Sequence, residues 1–258
     1  MELVERFAEL MRRPDAELSL AEGALLIAAG AEPGLDPRPW IAMLDGFAEG
    51  VDGLVGLCRR LFVELGFRGD LRSYHAPVNS LLNRVLERRR GMPITLSVVT
   101  LEVAARAGLD LQPIGMPAHF LVRDPRSGLY VDSFGATVLD EAGCEALYRE
   151  VTGADRQAPF GPQLTPVVGP RDILGRILLN LAHTYAINCE PQNLEWVLRM
   201  RLAIPGASPG EAIQLARAVA AQGRVSEAAG ELEAQAEADA RVAQAFLPVA
   251  RGLRAGLN

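Results

Sequence analysis

His119 and Asp132 are the side chains in this sequence whose types and spacing point most directly to chemistry. They flank turn-forming residues, Asp124–Ser127, and each belongs to a strand-like segment, Ala118–Arg123 or Gly128–Ser133. A carboxylate next to an imidazole fixes the ring tautomer and raises its basicity. Such a pair is half of a nucleophilic catalyst, because a Cys, Ser or Thr must supply the attacking atom.

The hairpin formed by these two segments brings the histidine and the aspartate together. If Asp124–Ser127 is the loop, Arg123 pairs with Gly128, and the register places His119 directly opposite Asp132. A slip of one residue would mix the apolar and polar faces, which a half-buried hairpin does not tolerate. We therefore predict that the two side chains lie within hydrogen-bonding reach. Two interpretations stay open: a catalytic pair, and a structural pair in which His119 satisfies a partly buried Asp132.

The hairpin needs a core to pack on, and the preceding segment predicts a buried helix. Residues Pro93–Ala107 are apolar nearly all round and end at Gly108, a typical residue for a helix C-terminus. The expected fold is α+β and predominantly helical, with a small antiparallel sheet on this helix. The sequence further predicts helices near the N-terminus and over these ranges: 18–29, 36–47, 54–65, 80–89, 173–188, 192–203, 210–221, 226–238 and 241–252.

Changes in composition predict four regions along the chain. We expect an N-terminal helical region packed on the core over 1–90, the core itself over 91–152, and a Pro/Gly-rich linker over 153–171. The remaining helices, over 172–258, come in pairs with Pro or Gly at the joints. Paired helices at a period of about 34 residues are typical of tetratricopeptide-like repeats.

Longer segments of the sequence resemble known families. Residues Arg88–Gly135 resemble the transglutaminase-like (papain-like) superfamily, whose pattern is Gly-x-Cys at a helix start, a long helix, a His strand and an Asp strand. The segments Gly66–Ser97 and Asp172–Leu181 make the chain more closely similar to the SirB family of bacterial proteins. That resemblance implies a transglutaminase-like domain followed by a tetratricopeptide-like region.

The resemblance assigns roles to the histidine and the aspartate but leaves the nucleophile unassigned. It implies that His119 is the catalytic histidine and Asp132 the catalytic aspartate. At the cysteine position the chain reads Met92-Pro93-Ile94-Thr95. The hydroxyls of Thr95 and Ser97 are candidate substitutes, although a hydroxyl is harder to deprotonate than a thiol. The alternative is that both residues cap the helix or contact solvent.

A polar patch just before the core helix is a candidate binding site. Arg89 and Arg90 would attract an anionic peptide or acyl group, aided by the dipole of the helix that follows, and Asn79 could supply a polar contact. The alternative interpretation is a solvated face. The sequence contains no HExxH motif and no phosphate-binding glycine motif, so we expect no metal and no cofactor.

Composition restricts the class of partner. The 258-residue chain has a net charge of −6, which argues against general binding to nucleic acid or anionic membranes. Its three cysteines form no CxxC pair, and the N-terminus has neither signal-peptide nor transit-peptide character. We expect a cytoplasmic protein with a protein or peptide partner, and the oligomeric state stays open.

Three functional hypotheses follow. The first is a non-catalytic interaction or regulatory protein that keeps the transglutaminase-like cleft as a groove. The second is a hydrolase or acyltransferase that uses His119 and Asp132 with a hydroxyl or water as nucleophile. The third is a structural or regulatory subunit in which the strap Gly153–Pro170 fills the cleft and the C-terminal helices bind the partner.

Overall fold

The computed structural model describes residues 2–155 and 158–256, so residues 1, 156–157 and 257–258 lie outside the described part, including two residues of the predicted linker. The helices predicted from the sequence are confirmed within a few residues at each end, except that the helix predicted over 54–65 is an α-helix only to Cys58 and continues as a π-helix over Arg59–Glu64. Twelve α-helices lie in the described ranges. Their bounds are α1 Glu2–Arg12, α2 Leu20–Ala31, α3 Arg38–Ala48, α4 Gly53–Cys58, α5 Leu82–Arg88, α6 Pro93–Arg106, α7 Glu141–Thr152, α8 Pro170–Ile187, α9 Pro191–Leu202, α10 Pro209–Ala220, α11 Val225–Ala238 and α12 Ala240–Ala255.

The strands are short and form two sheets. Their bounds are β1 Arg68–Gly69, β2 Arg90–Gly91, β3 Gln112–Ile114, β4 Leu121–Arg123, β5 Tyr130–Asp132 and β6 Thr137–Leu139. Strands β1 and β2 pair in parallel, whereas β3, β4, β5 and β6 form an antiparallel sheet in that order. The fold is therefore mostly helical with a small antiparallel sheet, as expected.

The register predicted for the hairpin is wrong by two residues. Val122 pairs with Val131 and Arg123 with Tyr130, so continuing the ladder places Leu121, not His119, opposite Asp132. The reason lies in the loop, where Gly128 takes the left-handed conformation at φ 75° and belongs to the turn instead of the strand. A shift of two residues keeps every side chain on its predicted face, since the side-chain period of a strand is two.

Helices α6 and α7 pack against the antiparallel sheet. The core helix α6 packs against β3 and β4, and its residues from Pro93 to Thr100 are buried. The helix α7, which the sequence analysis missed, brings buried Cys144 against a cluster on the sheet: Ile114, Met116, Leu121 and Tyr130. Both faces of the central strands β4 and β5 are thus buried, which explains why these two strands lack a clean alternation of polar and apolar residues.

The chain forms two compact units whose borders cross helices. One unit comprises Ser19–Ala28 and Gly34–Ile177, and the other comprises Met1–Leu18, Ala29–Pro33 and Leu178–Asn258. Two of the four borders fall inside α2 and α8, whereas the last of the predicted region boundaries lay at residue 171. The division into four regions stays a prediction, since a composition change does not mark where compact units separate.

The strap before α8 runs along one edge of the antiparallel sheet. Val167 bridges Ile114 of β3, and the backbone N–H of Gly115 donates to the carbonyl of Pro166 at 2.9 Å. Phe160 packs against the cluster beneath α7. The described part of the strap thus extends the sheet.

The other unit is built from consecutive helices. From α9 to α12, each helix packs against the next one in the chain. A capping box opens α10, where the Glu211 side chain accepts a hydrogen bond from the Ser208 backbone N–H. Arg199 on α9 contacts Glu195 of the same helix and Glu231 of α11, which ties these two helices together. None of the helices in the described ranges meets the length and hydropathy requirements of a bilayer-spanning segment.

Candidate functional site

The His119 and Asp132 side chains form a hydrogen-bonded pair at the end of the antiparallel sheet. The distance between His119 Nε2 and Asp132 Oδ1 is 2.9 Å, and the two residues are only 6% and 5% exposed. Because a carboxylate only accepts, the proton of this bond belongs to Nε2, which leaves Nδ1 as the acceptor of the neutral ring. The pair forms despite the shifted register because His119 lies in a turn before β4.

The turn that carries His119 is strained and is held by an arginine. Ala118 takes φ 58°, a conformation that residues with a Cβ rarely adopt. Arg176 of α8 donates to the carbonyl oxygens of His119 and Met116 at 3.2 and 3.5 Å, with its guanidinium over the Phe120 ring. Burial lowers the pKa of Arg176. Within the described residues no carboxylate forms an ion pair with Arg176, so its contacts serve the backbone of the turn.

Asp132 is fixed from several sides. Its Oδ1 also accepts the backbone N–H of Phe134 at 3.0 Å, which ends β5 in a turn. A Cβ added at Gly135 would lie 2.5 Å from Asp132 Oδ2, so this glycine leaves room for the carboxylate. The next residue, Ser133, shares a 2.8 Å hydrogen bond with Thr100 of α6, which ties the strand end to the core helix.

An open cleft of about 740 Å³ contains the pair. Its wall is mostly apolar and includes the first residue of α6, one face of α7 and alternate residues of β6. The lining residues are Tyr74, Pro93, Ala118, His119, Asp132, Phe134, Gly135, Thr137, Leu139, Gly143, Ala146, Leu147, Glu150 and Val151. No described residue of the strap lines it, so the hypothesis that the strap fills the cleft gains no support there.

The residue of α6 that lines the cleft with the pair is a proline. Pro93 occupies the first helical position, and the Gly91-Met92-Pro93 sequence places it where a Gly-x-Cys pattern has its cysteine. Thr95 and Ser97 are fully buried and are not among the lining residues. The Ser97 hydroxyl lies 3.5 Å from the Phe120 carbonyl, and the Thr95 hydroxyl has no hydrogen-bond partner in the described structure. These positions do not favour a hydroxyl nucleophile.

Two of the three cysteines have raised pKa values, and the third belongs to the other unit. Cys144 packs in the core beneath α7, where burial, together with the nearby carboxylates of Asp140 and Asp132, raises its pKa to about 12. Burial raises the pKa of Cys58 to about 11. Cys189 is exposed, and it belongs to the other unit. Because the thiolate is the reactive form, Cys58 and Cys144 stay protonated near neutral pH.

A hydrogen-bond network orders the loop that presents Tyr74 to the cleft. Asn79, fully buried, donates from Nδ2 to the carbonyls of Ser73 and Tyr74 at 2.7 and 3.2 Å. Arg88 joins Asn79 Oδ1 and Asp70 Oδ2 at 2.8 and 2.9 Å. Tyr74 in turn contacts the Phe134 ring edge-to-face at 5.7 Å. Asn79 thus stabilises the loop that carries Tyr74. The binding role expected for Asn79 stays a prediction.

Arg89 and Arg90, the other two predicted binding residues, also contact the protein. The Arg89 guanidinium lies over the rings of Phe47 and Phe67 at 4.4 and 4.9 Å. Arg90 donates to the carbonyl of Gly66 at 3.1 Å. Burial lowers the pKa of both guanidinium groups. Neither residue lines the cleft, and ligand binding by these arginines stays a prediction.

The wall that α7 contributes to the cleft was not predicted from the sequence. The pattern was available: Asp140 caps the helix through Gly143 N–H at 2.8 Å, and Gly153 ends it at φ 68°. Between them, apolar residues recur at helical spacing in Cys144, Leu147 and Val151. Tyr74 and Phe134 were also missed, because their approach to His119 depends on loops that are distant in sequence.

Within the described residues, no group of three or more His, Cys, Asp or Glu side chains is arranged to hold a metal ion. The site therefore offers a buried imidazole–carboxylate pair in an apolar cleft: a general base or a hydrogen-bonding anchor for a bound molecule. A helix that starts beside a His–Asp pair on a small antiparallel sheet is the arrangement that the resemblance to the transglutaminase-like superfamily implied.

Comparison with known proteins identifies the family. Residues 36–179 match the model of the transglutaminase-like superfamily, and the chain belongs to this superfamily. It is 36% identical to a UPF0162 protein of Xylella fastidiosa over 189 residues, which cover 67% of this chain and 66% of the relative. It is 31% identical to a UPF0162 protein of Pseudomonas aeruginosa, with 67% of each chain covered.

A eukaryotic protein is similar to a shorter part of the chain. F-box only protein 21 of Mus musculus is 33% identical over 133 residues, which cover 47% of this chain and 20% of that protein. The chain spans just under two thirds of the length of the Xylella relatives. No solved structure matches the chain significantly.

Proposed function

We propose that this protein is a non-catalytic member of the transglutaminase-like superfamily that acts as a protein-interaction or regulatory module, with the cleft as its binding groove. The observation that carries the proposal is Pro93, which lines the cleft beside His119 and Asp132 at the superfamily's cysteine position. A proline has no nucleophilic atom. Buried Cys144 cannot replace it, because burial and nearby carboxylates disfavour its thiolate.

Two finer assignments form part of the proposal. We propose that the chain is of the SirB type and that its C-terminal helices form a tetratricopeptide-like docking surface. The support is the sequence resemblance of Gly66–Ser97 and Asp172–Leu181, together with the packing of each helix from α9 to α12 against the next. The partner is then a protein or peptide in the cytoplasm, and not nucleic acid or membrane.

A second candidate is a hydrolase or acyltransferase in which water replaces the thiol. The observation in its favour is the hydrogen-bonded His119–Asp132 pair, which leaves Nδ1 as an acceptor for a water proton. The hydroxyls of Thr95 and Ser97 are less suited, since neither residue lines the cleft.

Turnover assays separate the two candidates. Purified protein is incubated with p-nitrophenyl esters, peptide amides and glutaminyl peptides plus a primary amine, in parallel with the variants His119→Ala and Asp132→Asn. We expect the same background rate from all three proteins. A rate above background that falls in both variants would contradict the non-catalytic proposal and establish the second candidate.

A further inference from the structure

The two edges of the antiparallel sheet differ in how they are covered. At the β3 edge, the strap supplies the bridge from Val167 to Ile114, and Val168 N–H donates to the Pro113 carbonyl at 3.1 Å. At the other edge, β6 pairs with β5 through Tyr130–Leu139, Val131–Val138 and Asp132–Thr137. Among the described residues, no segment pairs with the outer side of β6.

An edge strand without a neighbour exposes backbone N–H and C=O groups that another strand can pair with. Val138 at the centre of β6 is 45% exposed, and Thr137 is exposed as well. Proteins commonly block such edges with very short strands, charged residues, proline or a bulge. Strand β6 is three residues long, and its sequence Thr-Val-Leu contains no charged residue and no proline. The edge is therefore open to strand addition, in which main-chain hydrogen bonds supply affinity.

The same strand forms part of the cleft. Thr137 and Leu139 line it, as expected for alternate residues whose side chains share one face of the sheet. A strand added beside β6 would present every second side chain on that same face. Such a segment would therefore direct a side chain towards the space between α7 and the His119–Asp132 pair.

The acidic residues of the cleft favour a basic side chain in the bound segment. Among the described residues that line the cleft, the charged ones are Asp132 and Glu150. Glu150 is exposed and forms no ion pair with any described residue. Leu139, Leu147 and Val151 provide apolar surface for the methylene stem of a long basic side chain.

We propose that β6 binds an extended segment of a partner protein by strand addition, and that a basic side chain of this segment enters the cleft and pairs with Glu150. This inference rests on the proposed function, because it names the partner class of the same groove. It adds strand addition as the binding mode and a basic side chain as a requirement of the bound segment.

Selection of peptides tests the charge requirement. The full-length protein is immobilised and used to select from a displayed library of random heptapeptides. We expect arginine or lysine to be enriched at one position, with apolar or β-branched residues two positions away on either side. A library that enriches no basic position would overturn the proposal.

The best selected peptide is then measured by fluorescence anisotropy in three forms: the parent, a form with norleucine in place of the basic residue, and a form N-methylated at alternate residues. We expect each change to weaken binding about tenfold or more, because one removes a charge-assisted contact and the other removes main-chain donors. Glu150→Arg should weaken the parent peptide similarly. The matched control is Glu237→Arg, an exposed glutamate on α11, which should leave binding unchanged.

Two NMR readouts keep this inference separate from the proposed function. Protection of an amide of residues 137–139 from hydrogen exchange reports strand addition, whereas a shift of the His119 imidazole signals reports occupation of the cleft. A His119 shift without protection of β6 would overturn strand addition and leave the binding groove intact. The absence of both the protection of β6 and the shift of His119 would overturn strand addition and the binding groove together. Protection that depends on protein concentration without peptide would identify a second copy of the chain as the occupant and also overturn the proposal.

Discussion

The His119–Asp132 hydrogen bond also serves the stability of the fold. Both side chains are almost fully buried, and an unpaired buried imidazole or carboxylate would cost free energy. Asp132 additionally accepts the Phe134 N–H, so it ends β5 whether or not any chemistry takes place. A structural role is thus sufficient to explain why the pair persists beside a proline.

Pro93→Cys tests whether the cleft still has the geometry of a thiol site. The new thiol would lie at the first position of α6 and line the cleft with His119. A helix N-terminus and an adjacent imidazole both stabilise a thiolate, so we expect its pKa to fall at least about one unit below the usual 8.5. The pH dependence of iodoacetamide labelling in a Cys189→Ser background measures it.

The matched control for that thiol is Pro209→Cys. Pro209 also holds the first position of a helix, α10, and it has no histidine in its helix. Its thiol should experience the helix N-terminus and the nearby Glu211 carboxylate but no imidazole of its helix, and we therefore expect a higher pKa than for the thiol at position 93. Equal pKa values at the two positions, or no change on adding His119→Ala, would show that the imidazole does not act on this position.

Gly135→Ala should disturb the pair without touching either of its members. The added Cβ would lie 2.5 Å from Asp132 Oδ2, while Oδ1 is held by His119 and Phe134. We expect the free energy of unfolding to fall by about 1–3 kcal/mol, because a buried hydrogen bond to a charged group is weakened. Chemical denaturation measures this change, and the His119 Nε2–H resonance should shift or disappear.

Gly46→Ala is the control for that substitution. Gly46 lies inside α3, and a Cβ there meets nothing within 4 Å. Alanine should raise the free energy of unfolding by about 0.5–1 kcal/mol, since glycine is unfavourable inside a helix. If both alanine variants were stabilised, the close approach at Gly135 would have no energetic consequence.

At the scale of elements, the loop between β1 and α5 depends on one ionised carboxylate. Burial raises the pKa of Asp70, but hydrogen bonds from Ser73, Arg88 and Asn79 outweigh that effect and lower it below the ordinary 3.8. A lowered carboxyl pKa contributes stability above the unfolded-state pKa, and this contribution is lost as the pH falls through the folded-state value. The loop that carries Tyr74 should therefore loosen in acid.

Asp70→Asn should reproduce that loss at neutral pH. We expect the free energy of unfolding to fall by about 1–2 kcal/mol at pH 7, because the charged contact to Arg88 is lost. The difference from the wild type should shrink as the pH falls below about 4. Urea unfolding at several pH values measures it. Asp45→Asn, which breaks the more exposed pair with Arg106, should change stability by less than about 0.5 kcal/mol.

At the scale of the whole molecule, the run Arg88-Arg89-Arg90 does not form an open basic patch. Arg88 pairs with Asp70, Arg89 lies over two aromatic rings, and Arg90 binds a backbone carbonyl. With a net charge of −6, the protein should pass through a heparin column without retention at about 0.15 M salt. Retention would contradict the view that nucleic acids and other polyanions are not partners.

Local patterns in the sequence determined the helices and the identity of the pair. Apolar spacing, Pro at helix starts and Gly at helix ends act within a few residues, which is why α6 and α8–α12 were predicted within a few residues. The side-chain period of two kept His119 and Asp132 on one face even though the register was wrong. The absence of a cysteine from the stretch Met92-Pro93-Ile94-Thr95 was likewise visible without a structure.

The tertiary structure alone decided what surrounds the pair. Arg176 holds the turn of His119 across 57 residues of sequence, and the loop of Tyr74 reaches Phe134 through aromatic contact. Contacts between distant segments leave no periodic pattern, because they depend on how whole elements pack. The loop conformation of Gly128, which set the register, and the open edge of β6 are also results of packing and backbone geometry. The sequence thus determined which groups could act, and the fold decided what they face.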